Sequence, residues 1–173
     1  MTAAEVQHVL GLVQSNYGTA LSDIPLERVD GDNSDLLDDT PLHQVSPELA
    51  EMNYLEASSG TISRTPIGTE ADFDIDTVVS CRLIGAHVSK HGAIDPQAGT
   101  NNAASVSWPT VQWDTLKWNV VGAIDDGLEF PSPGRSNVGY THAVITEVQD
   151  PSSNYGDAYV AEWDVLFDGF ETR

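Results

Sequence analysis

Basic residues are scarce in this 173-residue chain, where two lysines, Lys90 and Lys117, and five arginines stand against 27 Asp and Glu for a formal charge of -20. A surface that binds nucleic acid by neutralising phosphates needs clustered Lys and Arg, which excludes direct binding through a basic patch. Cysteine is scarcer still. Cys81 alone leaves no intrachain disulfide and no thiolate metal cluster, and its apolar surroundings read as those of a small buried hydrophobe. No apolar run approaches the ~18 residues of a membrane span, and no basic, apolar, small-residue leader opens the chain. The sequence therefore predicts a protein that is neither embedded in a membrane nor exported by a visible signal. Motifs of catalysis are missing as well: G-x-S-x-G, G-x-x-x-x-G-K, G-x-G-x-x-G and HExxH do not occur. No nucleophile elbow, phosphate loop or zincin helix is expected, and the reading is of a non-enzymatic protein without metal or cofactor.

What is abundant is acid, with Asp ahead of Glu and arginine ahead of lysine. In dilute buffer such a surface repels itself and weakens any compact state. Four Trp, five Tyr and four Phe argue against disorder, so the charge points to a habitat in which counter-ions screen it. At molar salt the Debye length falls to ~3 Å, and most of the repulsion disappears. The composition resembles that of haloarchaeal proteins.

Clusters that look chemical have blander readings. Asp30-x-Asp32 opens like a calcium loop but lacks the loop glycine and closing glutamate, so the run through Asp35, Asp38 and Asp39 reads as a solvated acidic face. His87 and His91 are four apart, yet they lie where a strand enters a Gly-rich loop, with no carboxylate at ligand spacing. Adjacent acids such as Asp125 and Asp126 say little in a chain this acidic.

Periodicity gives the elements. Thr2-Ala3-Ala4-Glu5 has the form of a capping box, and Val6, Val9, Leu10, Val13 and Tyr17 follow at helical spacing, predicting a helix over 3–16 that Gly18 ends. Residues 18–75 lose the pattern and read as an irregular acidic region, with short strands near 26–29 and 61–64 and a helical turn at 47–54. A strand is expected over 76–88, a mobile loop over 89–107, and a helix over 109–128 with Pro109 at its start. A hairpin over 140–170 closes the chain, its last strand setting Ala161, Trp163, Val165 and Phe167 on one face and Glu162, Asp164 and Asp168 on the other. The simplest burial of these stripes is a single α+β domain spanning 1–173, an antiparallel sheet of three to five strands with two helices packed on one face.

The order of these elements, with Val78-Val-Ser-Cys-Arg-Leu-Ile-Gly in the first strand and Ala161-Glu-Trp-Asp-Val-Leu-Phe in the last, resembles the tail-terminator and tail-completion proteins of tailed viruses. The resemblance covers residues 1–17 and 76–173. With the halophilic composition it implies a virion component of a haloarchaeal tailed virus, assembled in the host cytoplasm and placed at the tail or neck. It further implies a homo-oligomeric, hexameric ring that joins a tail-tube protein to a neck or connector protein, with DNA passing through its opening without specific binding. Head-closure or another neck role stays open beside it, as do a halophilic ligand- or glycan-binding module and a haloarchaeal enzyme. No functional residue transfers by motif. Interface candidates come from the residues themselves: Trp108 and Trp118 as aromatic anchors, His91 and Asn101 in the 89–107 loop, and Asn154 and Tyr155 in the 150–157 turn.

Overall fold

The computed structural model describes residues 3–33, 53–68, 71–151 and 158–172. Its elements run α1 (Ala4–Asn16), β1 (Leu26–Asp30), β2 (Asn53–Ile67), β3 (Asp72–Ala86), α2 (Trp113–Asp125), β4 (Val138–Gln149) and β5 (Ala158–Glu171). The architecture is α+β. Five strands form one sheet in the order β1-β2-β3-β5-β4, every neighbouring pair antiparallel except β1 and β2, which are parallel. A parallel pair cannot be joined by a tight hairpin. The sheet of five strands is antiparallel as expected except at its β1 edge, and β1 falls where a short strand was expected near 26–29.

Both helices lie on one face. Val6, Val9, Leu10 and Val13 of α1 and Leu116, Val120, Val121 and Ile124 of α2 share one core with Leu55, Ile75, Val79, Leu83, Trp163, Val165 and Phe167 of the sheet. Strand alternation puts every second residue of β3 and β5 into that core and sends the intervening ones to the opposite face. There Asp76 pairs with Asp168, Val78 with Leu166, Ser80 with Asp164 and Arg82 with Glu162. Val29, Tyr54, Ile84 and Val160 make a second, smaller buried cluster on this face.

Several expectations need correction. The short strands expected near 26–29 and 61–64 are present as β1 and within β2, but β2 is fifteen residues long, and β3 begins at Asp72 rather than 76. The outer half of β2, Ser-Gly-Thr-Ile-Ser-Arg-Thr-Pro-Ile, carries no apolar alternation because neither of its faces is buried, so periodicity had nothing to report. Asn53 and Tyr54 belong to this strand rather than to a helical turn, while 47–52 lie outside the described residues. The second helix starts at Trp113, not 109. Val111 is held extended by a bridge to Ile94, its amide donating to the Ala93 carbonyl at 2.8 Å, and helical dihedrals begin only after Gln112.

Ala3 stands at the N-cap of the first helix with no side-chain bond, Thr2 lies outside the described residues, and the Glu5 carboxylate turns inward. Gly18 follows the helix for reasons of space rather than handedness. Its φ is -61°, and a Cβ there would come within 2.7 Å of Asn119 in α2, whose Oδ1 accepts the Gly18 amide at 3.0 Å.

Residues 89–107 are not the expected mobile excursion. Ala93, Ile94, Asp95 and Ala98 are buried, and parallel bridges tie His87 to Ile94 and Ile94 to Val111. Asp95 organises the rest, one carboxylate oxygen accepting the Gln97 amide at 2.9 Å and the other the Ala104 amide at 2.8 Å. These amide donors, Ala104 first, hold its carboxyl below the usual range. Gly92 has to be glycine, because a Cβ would sit 1.9 Å from the Ala86 carbonyl oxygen.

Candidate assembly surface

The sequence-predicted interface residues divide among three fates. Trp118 projects from α2 with 56% of its surface exposed, as an anchor must, and Lys117 Nζ lies 5.3 Å from its ring centroid. Trp108 is half-buried, its Nε1 donating to the Gly92 carbonyl at 3.0 Å and its ring 5.8 Å from that of His91. His91 and Asn101 are exposed on the ordered loop, and His91 takes a left-handed φ of 62°. Asn154 and Tyr155 lie outside the described residues. Trp108 and Trp118 therefore do not form a paired platform, since one is pinned to its own loop and the other stands on a helix.

Polar groups under this surface are tied into two networks. In the first, Tyr140 donates to Glu5 Oε1 at 2.6 Å, Arg135 Nη1 donates to the same oxygen at 3.3 Å, and Thr77 Oγ1 lies 2.9 Å from the Tyr140 hydroxyl. Glu5 is 2% exposed, and the network joins α1 to β3, β4 and the loop before β4. Burial, reinforced by the Glu5 carboxylate, pushes the Tyr140 hydroxyl up to about 12. In the second, buried Lys117 donates to Asp114 Oδ1 at 2.9 Å and Asp150 Oδ2 at 3.0 Å, and Trp113 Nε1 donates to Asp150 Oδ2 at 2.8 Å. Burial opposes the charge on Lys117, but the two carboxylates outweigh it and raise the pKa. Each network satisfies groups of its own fold. Among the described residues no group of three or more His, Cys, Asp and Glu is placed to hold a metal ion, and no helix is long and apolar enough to cross a membrane.

His8 stands apart. Its Nε2 is buried without a hydrogen-bond partner among the described residues, its ring meets Phe167 edge-on at 6.3 Å, and burial lowers its pKa from the usual 6.5. The unfolded chain then binds a proton here in a pH window just below 6.5 where the folded chain does not. Stability is full above that window and falls as pH drops through it. Denaturation of His8→Leu and wild type at about pH 7 and about pH 5 checks the sign: the variant is expected to lose less on acidification, and equal losses would contradict it.

The remaining surface is shaped by an arm. Along β2 burial ends at Ala57, and residues 59–67 are exposed without interruption as the outer strand beside β3, which is itself paired on its other side to β5. This part is ordered by strand pairing and by Arg64, which reaches across β3 to donate to Glu171 Oε2 at 2.6 Å and sets its guanidinium 4.0 Å over the Phe73 ring. At the arm's base the Asp32 carboxylate accepts the Ser59 amide at 2.8 Å. Of this stretch the sequence predicts only a short strand near 61–64, not its length. Its only sequence signals were a Ser/Thr-rich run of β-formers and the flanking Gly68. On the other side of the sheet stands Phe130, also unforeseen, 75% exposed and at φ 53°.

No protein-family model and no curated protein matches the chain.

Proposed function

We propose that the chain is a non-enzymatic structural protein that assembles with copies of itself into a ring, in the role of a tail-terminator or other neck component of a haloarchaeal tailed virus. The observation that carries the reading is the arm. Nine consecutive residues of β2, 59–67, are exposed in an ordered strand that, among the described residues, has a partner strand on one side only. An exposed edge strand presents unpaired backbone N–H and C=O groups, a feature suited to a neighbour. The two buried networks support the same reading, because Glu5, Tyr140, Arg135, Lys117, Asp114 and Asp150 tie elements of the fold to one another. The charge of -20 fits a subunit that assembles only where salt screens it.

Sedimentation velocity of the full chain in molar KCl, followed by negative-stain imaging, tests the ring. A closed multimer is expected. Immunogold labelling of virions of the encoding virus should then mark the junction of head and tail. A strictly monomeric species that also fails to bind tail-tube or neck protein would sink the proposal.

A further inference from the structure

We infer that residues 127–135, between α2 and β4, form a latch closed over neutral His8, and that protonation of His8 releases it. The segment is clasped to α1 at both of its ends. At Gly127 a Cβ would collide with the Leu12 side chain, and at the other end Arg135 Nη1 donates to Glu5 Oε1 at 3.3 Å. His8 follows Glu5 by three residues and precedes Leu12 by four, so it shares their face of α1 and lies midway between the clasps. Its ring meets Phe167, which in turn meets Tyr140 of the Glu5 network. Between the clasps Leu128 and Pro131 are buried, and the Leu128 carbonyl accepts the Ala143 amide at 3.1 Å. His8 Nε2 is shut off from water here with no partner among the described residues. A neutral imidazole tolerates the position by leaving a lone pair on Nε2. An imidazolium does not, because both of its nitrogens are then donors and an unpaired donor on a buried charge is the costliest arrangement.

The latch is the part that gives way at least cost. α1 is fixed by Val6, Val9, Leu10 and Val13 in the main core, whereas 127–135 has two buried apolar side chains, an arginine clasp that is 31% exposed, and a strained residue. Phe130 stands at φ 53°, which a bulky residue holds only under constraint, and is 75% exposed, so release relaxes the backbone and forfeits little burial. The other charged and titratable groups around His8 do not replace it as the trigger. Glu5 is shared by Tyr140 and Arg135, whose guanidinium offsets the pull of the carboxylate on an imidazolium. Asp125, Asp126 and Glu129 are exposed, and His142 and Asp168 lie 3.7 Å from each other on the open face of the sheet. Burial holds the His8 pKa below 6.5 only while the latch is closed, so closure is fully favoured above that value and weakens as pH falls below it.

Hydrogen exchange of the full chain in molar KCl tests the latch, read by mass spectrometry at about pH 7 and about pH 5 and corrected for the pH dependence of intrinsic exchange. The Ala143 amide, whose acceptor belongs to the latch, should lose protection at least about threefold on acidification, towards a ceiling of about thirtyfold set by a free histidine of pKa 6.5. His8→Leu and His8→Gln, neither of which takes up the proton, should show no such loss, and His142→Gln should keep it. Amides of the β3 and β5 core should hold their protection throughout. Equal protection of Ala143 at both pH values, a loss that survives in a His8 variant or disappears with His142→Gln, or an equal loss in the core strands would overturn the inference.

Discussion

Replacing Glu5 with alanine should cost the fold about 3 kcal/mol, because it strips a buried network of its only carboxylate. Tyr140 would keep Thr77 Oγ1 at 2.9 Å but lose its 2.6 Å acceptor, and Arg135 would lose its ion-pair partner. The arginine side chain is 31% exposed and can turn to water, which limits the penalty on its side. Tyr140 cannot, since it is buried against Phe167 with ring centroids 5.2 Å apart. Glu5→Gln keeps an acceptor for the tyrosine and should lose only about 1 kcal/mol. Pairing Glu5→Leu with Tyr140→Phe removes the donor and acceptor of the 2.6 Å bond together and, although Thr77 Oγ1 loses its contact with the tyrosine, should recover part of the alanine loss. Urea titrations in molar KCl measure all three. Equal losses for alanine and glutamine, or no recovery in the double variant, would show that packing rather than the carboxylate holds this junction.

That junction also marks how far the sequence could be read. Glu5 looks like the far half of a capping box, and nothing local distinguishes that use from a tertiary one 135 residues away. Where burial is one-sided the sequence was transparent: β5 alternates apolar and acidic residues because one face packs and the other meets solvent, and α1 follows its 3.6-residue stripe. The two-helix, one-face arrangement followed from those stripes. Where neither face is buried, as in the outer half of β2, the pattern vanishes although the strand is fifteen residues long. The ordered 89–107 loop was illegible for another reason. Its order comes from Asp95, whose carboxylate binds two backbone amides, and a single acid among 27 gives no sign of being buried. Of the candidate anchors, Trp118 was visible through its offset from the buried helical stripe. Phe130 was not, because its exposure depends on a left-handed backbone that the sequence Glu-Phe-Pro does not announce.

Transfer from molar salt to about 0.1 M should remove most of the stability of the domain, and the size of the effect follows from charge alone. A compact chain of this length has a radius of roughly 20 Å, and charge -20 spread over it carries a repulsive energy of about 14 kcal/mol at 0.1 M against about 5 kcal/mol at 1 M. The difference, on the order of 9 kcal/mol, is a ceiling, since the unfolded chain repels itself too. It is nonetheless comparable to the ~5–15 kcal/mol that holds an ordinary domain together. Local geometry concentrates the strain on the open face, where Asp76 lies directly opposite Asp168 across β3 and β5, with His142 3.7 Å from Asp168. Neutralising that rung with Asp76→Asn and Asp168→Asn should lower the salt concentration at the unfolding midpoint, whereas Arg82→Gln should raise it by removing the one cation between Glu56 and Glu162. Circular dichroism over a KCl series reads the unfolding, and sedimentation over the same series reads the proposed ring. Copies of like charge must part before each one expands, so the ring is expected to dissociate at higher salt than the domain unfolds. A domain that keeps its full stability at 0.1 M would show that the acidic surface is not what ties this protein to salt.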